Sequence, residues 1–256
     1  MVSGLQGKQI LITREEKQAS VFADQISQYG GVPVQVPLLK ITCQHHTSNK
    51  ELLRSPGTYK WLFFTSANGV SCFFNFLSEE QAVQDFTAGS KFAAVGRKTA
   101  RVLESYGYQA DFIPTTYNAE TMTREFFSEH TQLEEPVLLI QGNLSRRILP
   151  VWFNEQGIRY NTMEVYRTDV HHEMKDQLNA TITQQRFDAI TFTSPSSVNA
   201  FMEMKNVPLA DATPICCIGT TTEQRAASFG FRNLLVPEEF TIGGMVRRLE
   251  TYFTKN

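Results

Sequence analysis

The sequence predicts an α/β protein of two similar domains, each a parallel sheet flanked by helices. Three observations lead there. The second half of the chain repeats the first: Phe64-Thr65-Ser66-Ala67-Asn68-Gly69-Val70 returns as Phe192-Thr193-Ser194-Pro195-Ser196-Ser197-Val198. Gly96, Gly107, Pro114 and Met122 recur at one constant offset as Gly219, Gly230, Pro237 and Met245. Short apolar runs alternate with turn residues and helical periodicity, the rhythm of a parallel α/β layer. The length of 256 residues suits two domains with separate cores. Two copies of one supersecondary unit, too few for a solenoid, suggest two contiguous halves facing each other across a cleft.

The elements follow in order. Lys8 to Thr13 is an apolar run without helical period, after which Ala19, Phe22, Ala23, Ile26 and Tyr29 fall on one helical face that Gly30-Gly31 ends. Strand-like runs recur at 61–64, 92–95, 137–140, 189–192 and 215–218, each followed by a polar turn and a periodic segment. Continuous apolar strands are expected where helices cover both faces of a sheet. Ile242, Met245, Val246, Leu249 and Phe253 form the packing stripe of a last helix, with Gly243-Gly244 at its start. Two longer extended runs, Val34 to Thr42 and Thr162 to Val170, break the rhythm at equivalent places in the repeat.

Composition narrows the function. Formal charge −2 and pI about 6.2 give no basic footprint for nucleic acid. The first apolar run, Ile10-Leu11-Ile12, is too short for a signal core or a membrane span, so a cytoplasmic protein without a membrane partner is expected. Cys43, Cys72, Cys216 and Cys217 form no C-x-x-C pair and read as buried reduced thiols. His45-His46 and His171-His172 follow the two extended runs, but adjacent strand residues face opposite ways and no third ligand recurs, so no metal site is expected.

The familiar motifs for dinucleotide, ATP, zinc-protease and serine-hydrolase chemistry are absent. What remains is a set of small polar residues where strands pass into helices: Thr13-Arg14, Thr65-Ser66-Ala67-Asn68, Gly96 to Thr99, Gln141-Gly142-Asn143, Thr193 to Ser196 and Gly219-Thr220-Thr221-Thr222. Ligands of open parallel sheets bind outside the carboxyl ends of the strands, where helix N-termini offer unpaired N–H groups to anions. Ser66, Asn68, Ser194 and Ser196 also suit helix caps. Recurrence in both halves favours a pocket for an anionic ligand.

Taken together, Thr13-Arg14, Phe64 to Val70, Val95-Gly96-x-x-Thr99, Glu164-Val165-Tyr166-Arg167, Phe192 to Ser196 and Ile218-Gly219-x-x-Thr222 resemble the uroporphyrinogen-III synthase family over roughly residues 8 to 249. The resemblance implies two flavodoxin-like, HemD-like α/β domains joined by a two-stranded linker. Residues 1–36 and 171–256 would form domain 1, residues 42–165 domain 2, and 37–41 with 166–170 the linker strands. The implied reaction closes hydroxymethylbilane, a linear tetrapyrrole with eight carboxylates, to uroporphyrinogen III with inversion of ring D and loss of water. Neither cofactor nor metal is implied. The implied setting is a monomer that takes the bilane by transient handover from hydroxymethylbilane synthase.

By motif position, Tyr166, Thr99 and Thr222 match the family's functional tyrosine and cleft threonines, with Tyr166 as general acid. Thr13, Arg14, Thr65, Ser66, Asn68, Gly96, Ser194, Ser196, Gly219, Thr220 and Thr221 match its substrate-contacting turns. Arg146, Arg147 and Arg167 are further candidates for carboxylates, although Arg146-Arg147 read as solvated helix residues. Many relatives carry proline after the second motif glycine, where this chain has Thr220, so Thr221 stays an alternative to Thr222. A two-domain binding or regulatory protein for a small anion, without turnover, is the other reading.

Overall fold

The computed structural model describes residues 4–54, 57–116, 119–130, 133–184 and 186–255. In chain order the elements begin β1 (Gln9–Ile12), α1 (Glu16–Gln28), β2 (Val32–Gln35), β3 (Leu39–Cys43), α2 (Thr47–Leu53), β4 (Trp61–Phe64), α3 (Ala67–Glu79), α4 (Val83–Thr87), β5 (Lys91–Ala94) and α5 (Arg97–Ser105). They continue α6 (Ala119–Glu129), β6 (Val137–Gly142), α7 (Ile148–Glu155), β7 (Tyr160–Val170), α8 (Lys175–Thr183), β8 (Ala189–Phe192), α9 (Pro195–Met204), β9 (Ile215–Cys217), α10 (Thr220–Ser228), β10 (Leu234–Leu235) and α11 (Ile242–Lys255).

The chain divides into two compact units, residues 1–40 with 169–256, and residues 41–168. The first carries a five-stranded sheet in the order β10-β9-β8-β1-β2, with parallel pairings throughout. The second carries the order β3-β7-β6-β4-β5. Its β4, β5, β6 and β7 are parallel. The bonds Gln44 N–H to Val165 O (2.8 Å) and His171 N–H to Leu38 O (2.9 Å) run in opposite chain order, so β3 lies antiparallel to β7. Both unit boundaries fall inside these two strands.

Side-chain alternation explains the four-residue strands. In β4, Leu62 and Phe64 enter a core with α3 and α5 residues such as Phe73 and Leu103, while Trp61 and Phe63 enter another with Phe126 of α6 and Phe153 of α7. In the first unit, Leu11, Ile190 and Phe192 pack with Phe201, and Ile10, Ile12 and Ala189 pack with Phe22 and Met245. A fully buried Phe contributes about 1.5–3 kcal/mol in each case.

Helix ends repeat with the sequence. Gly107 and Gly230 take positive φ (86° and 88°) after α5 and α10. In each, the following residue's N–H bonds the carbonyl five residues back: Tyr108 to Leu103 (3.1 Å) and Phe231 to Ala226 (3.4 Å). Only glycine takes that left-handed turn without penalty, which accounts for the constant offset of the Tyr-Gly-Tyr and Phe-Gly-Phe copies.

Three expectations are corrected. Cys43 and Cys72 are not free thiols but a disulfide joining β3 to α3, whereas Cys216 and Cys217 are free and buried. Local spacing could not show the pairing, because 29 residues separate the partners. The extended run from Val34 to Thr42 is broken between β2 and β3 at Pro37, which has no N–H for a ladder. Arg146 and Arg147 precede α7 rather than lying on a helix, although both are exposed as expected.

Candidate active site

Strand order puts polar turns at a special place in each sheet. In the second unit, β4 leads outward to β5 while β6 is laid down on its other side, so a crevice opens between the carboxyl ends of β4 and β6. Thr65 and Ser66 follow β4 there, and Gln141, Gly142 and Asn143 lie at the end of β6. In the first unit the reversal falls between β1 and β8, beside Thr13 and Ser194.

Tyr166 is the centre of the second unit's rim. Its hydroxyl lies 3.0 Å from Ser66 Oγ, and Ser66 Oγ accepts the Gly69 N–H at 3.0 Å as N-cap of the 13-residue helix α3. The phenol is thus coupled through one oxygen to a helix N-terminus, where developing negative charge is stabilised. Tyr166 and Thr65 line a cavity of about 330 Å³ with Val95, Ala119, Leu144, Ser145, Arg146 and Leu149. Arg146 Nη1 is 3.4 Å from Glu120 Oε1, and both side chains are exposed. Gln141 Oε1 is, among the described residues, a buried side-chain acceptor without a partner.

The threonines expected at the site sit deeper. Thr99 is 4% exposed in the first turn of α5, and Thr222 is 3% exposed in the first turn of α10. Thr220 and Thr221 are exposed, so Thr222 matches Thr99 in burial. Gly96 and Gly219 are the extended N-caps of these helices. A Cβ on Gly219 would lie 3.2 Å from the Phe240 ring.

In the first unit, Ser194 caps α9 with a reciprocal Ser197 bond, and its Oγ pairs with Ser196 Oγ at 2.9 Å. Thr13 is fully buried and its hydroxyl donates to Thr191 O at 2.7 Å, which makes it part of the sheet. Arg14 donates Nε–H to Gln18 Oε1 at 2.7 Å. Burial pulls its guanidinium below the ordinary value, against Glu15, which raises it. Asn68 is half-buried at the start of α3. The structure therefore joins Ser66 directly to Tyr166, brings Thr65 to the same cavity, and joins Ser194 with Ser196.

Sequence reasoning missed residues that hold Tyr166. Asn49, 3% exposed, donates Nδ2–H to Glu164 O at 2.8 Å. Asn143 accepts the Thr168 N–H at 2.8 Å and donates to Thr168 O at 3.3 Å. The polar Gln141-Gly142-Asn143 turn was a signal for Asn143, but Asn49 has no counterpart in the repeat. Each histidine of the two expected pairs lies near a carboxylate: His45 with Glu79, His46 with Glu164, His171 with Glu173 and His172 with Glu203. Among the described residues no group of three or more His, Cys, Asp or Glu could hold a metal ion, and no helix is long and apolar enough to cross a membrane.

The chain is similar to known proteins over most of its length. The family model of uroporphyrinogen-III synthase HemD matches residues 20–247. The uroporphyrinogen-III synthase of Chlorobaculum parvum is 27% identical over 244 residues, covering 91% of this chain and 94% of that one. A porphyrin biosynthesis protein HemD of Ruminiclostridium josui is 27% identical over 253 residues, covering 97% of this chain and 49% of the relative, so the chain spans about half that relative's length. A mutant uroporphyrinogen III synthase from the extremely thermophilic bacterium Thermus thermophilus shares the fold with a TM-score of 0.67 at 16% identity, covering 98% of this chain and 100% of that one. The uroporphyrinogen-III synthetase of Helicobacter pylori does so with a TM-score of 0.67 at 17% identity, covering 97% and 100%. With the model spanning most of its length and the repeated turns in place, the chain belongs to the uroporphyrinogen-III synthase HemD family.

Proposed function

We propose that this chain closes hydroxymethylbilane to uroporphyrinogen III, inverting ring D and releasing water. The observation that carries the chemistry is the Tyr166 hydroxyl held 3.0 Å from a serine oxygen that already accepts a helix N-terminal N–H. With the Gly69 N–H on one lone pair, Ser66 can turn its own proton toward the phenol oxygen, leaving the Tyr166 proton directed elsewhere. A phenol hydroxyl so held can act as the general acid that protonates the departing hydroxyl.

The steps balance without a co-reactant. Tyr166 gives its proton as the C–O bond of the terminal hydroxymethyl group breaks, so water leaves and an azafulvenium cation remains beside the tyrosinate. The substituted carbon of ring D attacks the azafulvenium carbon, the bond from that ring D carbon to its original methylene bridge breaks to leave an azafulvenium on the neighbouring ring, and the free α-carbon of ring D attacks that cation to close the macrocycle. The proton lost as that pyrrole regains aromaticity returns to the tyrosinate. Ser66 and the α3 N-terminus stabilise the tyrosinate while it exists.

In the second unit, Thr65, Ser66, Asn68 and Gly96 would contact substrate carboxylates, and the corresponding candidates of the first unit are Arg14, Ser194, Ser196, Gly219, Thr220 and Thr221. Thr13, Thr99 and Thr222 would shape the turns from beneath, in keeping with their burial. The cavity beside Tyr166 has room for one ring and its side chains rather than a whole tetrapyrrole. Folding the bilane correctly matters because it closes spontaneously without inversion, and each 1.36 kcal/mol of conformer preference changes the product ratio about tenfold. We further infer a cofactor-independent, cytoplasmic monomer that receives its bilane by handover, with two lobes, one of them discontinuous in sequence, joined by the β3–β7 pair.

The test is chromatographic separation of the type III and type I isomers formed from fresh hydroxymethylbilane after dialysis of the protein against chelator. Wild type is expected to give type III. Tyr166→Phe is expected to lower kcat by roughly 10²-fold, the low end for a general acid. Unchanged rate and isomer ratio in both Tyr166→Phe and Thr99→Ala would remove the site assignment.

A further inference from the structure

β6 and β7 pair in register from Val137 and Tyr160 through Gln141 and Glu164, and then the register slips: Gly142 lies opposite Tyr166, leaving Val165 as an extra residue. Bulges are uncommon in parallel pairs and re-aim the side chain that follows. Strict alternation would send Tyr166 to the face opposite Val165. Instead it packs on the same core as Met163 and Val165, the face of α3, and so reaches Ser66.

Every carbonyl of the bulge is taken. Glu164 O accepts from Asn49 Nδ2 (2.8 Å), Val165 O from Gln44 N (2.8 Å) and Tyr166 O from Asn143 N (3.2 Å). The tyrosine ring then lies flat against Gly142. A Cβ built there would come within 2.3 Å of Tyr166 Cε2 and 2.4 Å of Cζ, distances that side chains do not tolerate. Glycine inside a strand commonly marks such a close approach.

We propose that Gly142 is a positioning residue for Tyr166: its missing side chain leaves the space in which the ring lies with its hydroxyl on Ser66, while Asn49 and Asn143 hold the bulge that turns the ring there. The inference rests on the reading that Tyr166 serves the reaction. Any side chain at 142 displaces the ring, so the chemistry at Tyr166 is set partly by a residue that acts through the space it leaves.

The experiment compares wild type, Gly142→Ala, Tyr166→Ala and the double variant, reading kcat, KM, type III fraction and thermal stability. Gly142→Ala is expected to lower kcat by the same factor as Tyr166→Ala, with KM changed less. The double variant should match Tyr166→Ala within about twofold, the scatter of additive mutations. Removing the ring frees the space for the new methyl, so Gly142→Ala should destabilise wild type and spare the Tyr166→Ala protein. Asn143→Ala gives a second route if Gly142→Ala does not fold: its kcat loss should likewise vanish in the Tyr166→Ala background.

Equal kcat factors for Gly142→Ala in both backgrounds, or wild-type kcat in Gly142→Ala, overturn the inference. Wild-type activity of Tyr166→Ala would instead remove the catalytic reading, and the stability comparison would decide the rest. Destabilisation confined to the wild-type background keeps the steric coupling, and equal destabilisation in both discards it.

Discussion

Replacing Ser66 by Ala removes two interactions at once, and the structure gives each a size. The oxygen caps α3 through the Gly69 N–H (3.0 Å), and such a cap contributes about 1 kcal/mol. It also meets the Tyr166 hydroxyl (3.0 Å), a hydrogen bond of about 1 kcal/mol. Ser66→Ala should therefore cost about 2 kcal/mol in wild type, lowering Tm by about 2–4 °C per kcal/mol for a chain of this size. In a Tyr166→Phe background the phenol hydroxyl is already gone and only the cap remains to lose, so the cost should fall to about 1 kcal/mol. Thermal unfolding of the four proteins yields the coupling directly. A coupling below about 0.5 kcal/mol, the scatter for independent sites, would refute the bonded pair and with it the Ser66 route to the helix N-terminus.

Other expectations concern the two units separately. Phe126 is fully buried with ring centroids 4.7 Å from Trp61 and 4.8 Å from Phe63, so Phe126→Ala should cost about 3–5 kcal/mol in equilibrium unfolding, whereas a loss below about 1 kcal/mol would contradict that packing. Thiol titration should find no reactive cysteine in the native protein, because burial raises both free thiols, Cys217 to about 12, and two thiols per chain after denaturation without reductant. Reducing the Cys43–Cys72 bridge, whose separation is 29 residues, should lower stability by about 3–4 kcal/mol, as measured by paired urea melts with and without dithiothreitol. Burial raises the Tyr59 pKa above 10.0, and its hydroxyl donates to Asn161 Oδ1 at 3.0 Å. The folded state therefore holds that proton longer, so the contribution is complete below pH 10 and is lost as pH rises through the folded value, a loss that Tyr59→Phe should abolish.

Much of this architecture is legible in the chain because its causes are local. Trp61-Leu62-Phe63-Phe64, a short apolar run followed by a polar turn, reads as a strand covered on both faces, and the constant offset of Gly107 and Gly230 has its cause in a helix-ending turn that only glycine takes without penalty. The Ser66 and Ser194 caps are likewise written in their turns. The rest depends on partners distant in sequence. The bulge at Val165 depends on Gln44, Asn49 and Asn143, which take the carbonyls of Val165, Glu164 and Tyr166, and nothing in Glu164-Val165-Tyr166 records that. Gly142 read as a turn glycine, yet it ends a strand and faces a ring 24 positions away, since 166 − 142 = 24. Thr13 looked like a rim residue from its position after β1, but its hydroxyl turns inward to Thr191, a partner fixed by the pairing of β1 with β8. The polar turns could be located from sequence, and the direction each side chain takes could not.

The central claim is that the protein directs ring closure rather than merely binding an anion. The most direct measurement is the type III fraction of product as protein concentration increases at fixed hydroxymethylbilane. Catalysis predicts a fraction that climbs from near zero toward completion while total closure accelerates in proportion to protein. A product that remains type I at the spontaneous rate, however much protein is added, would contradict it.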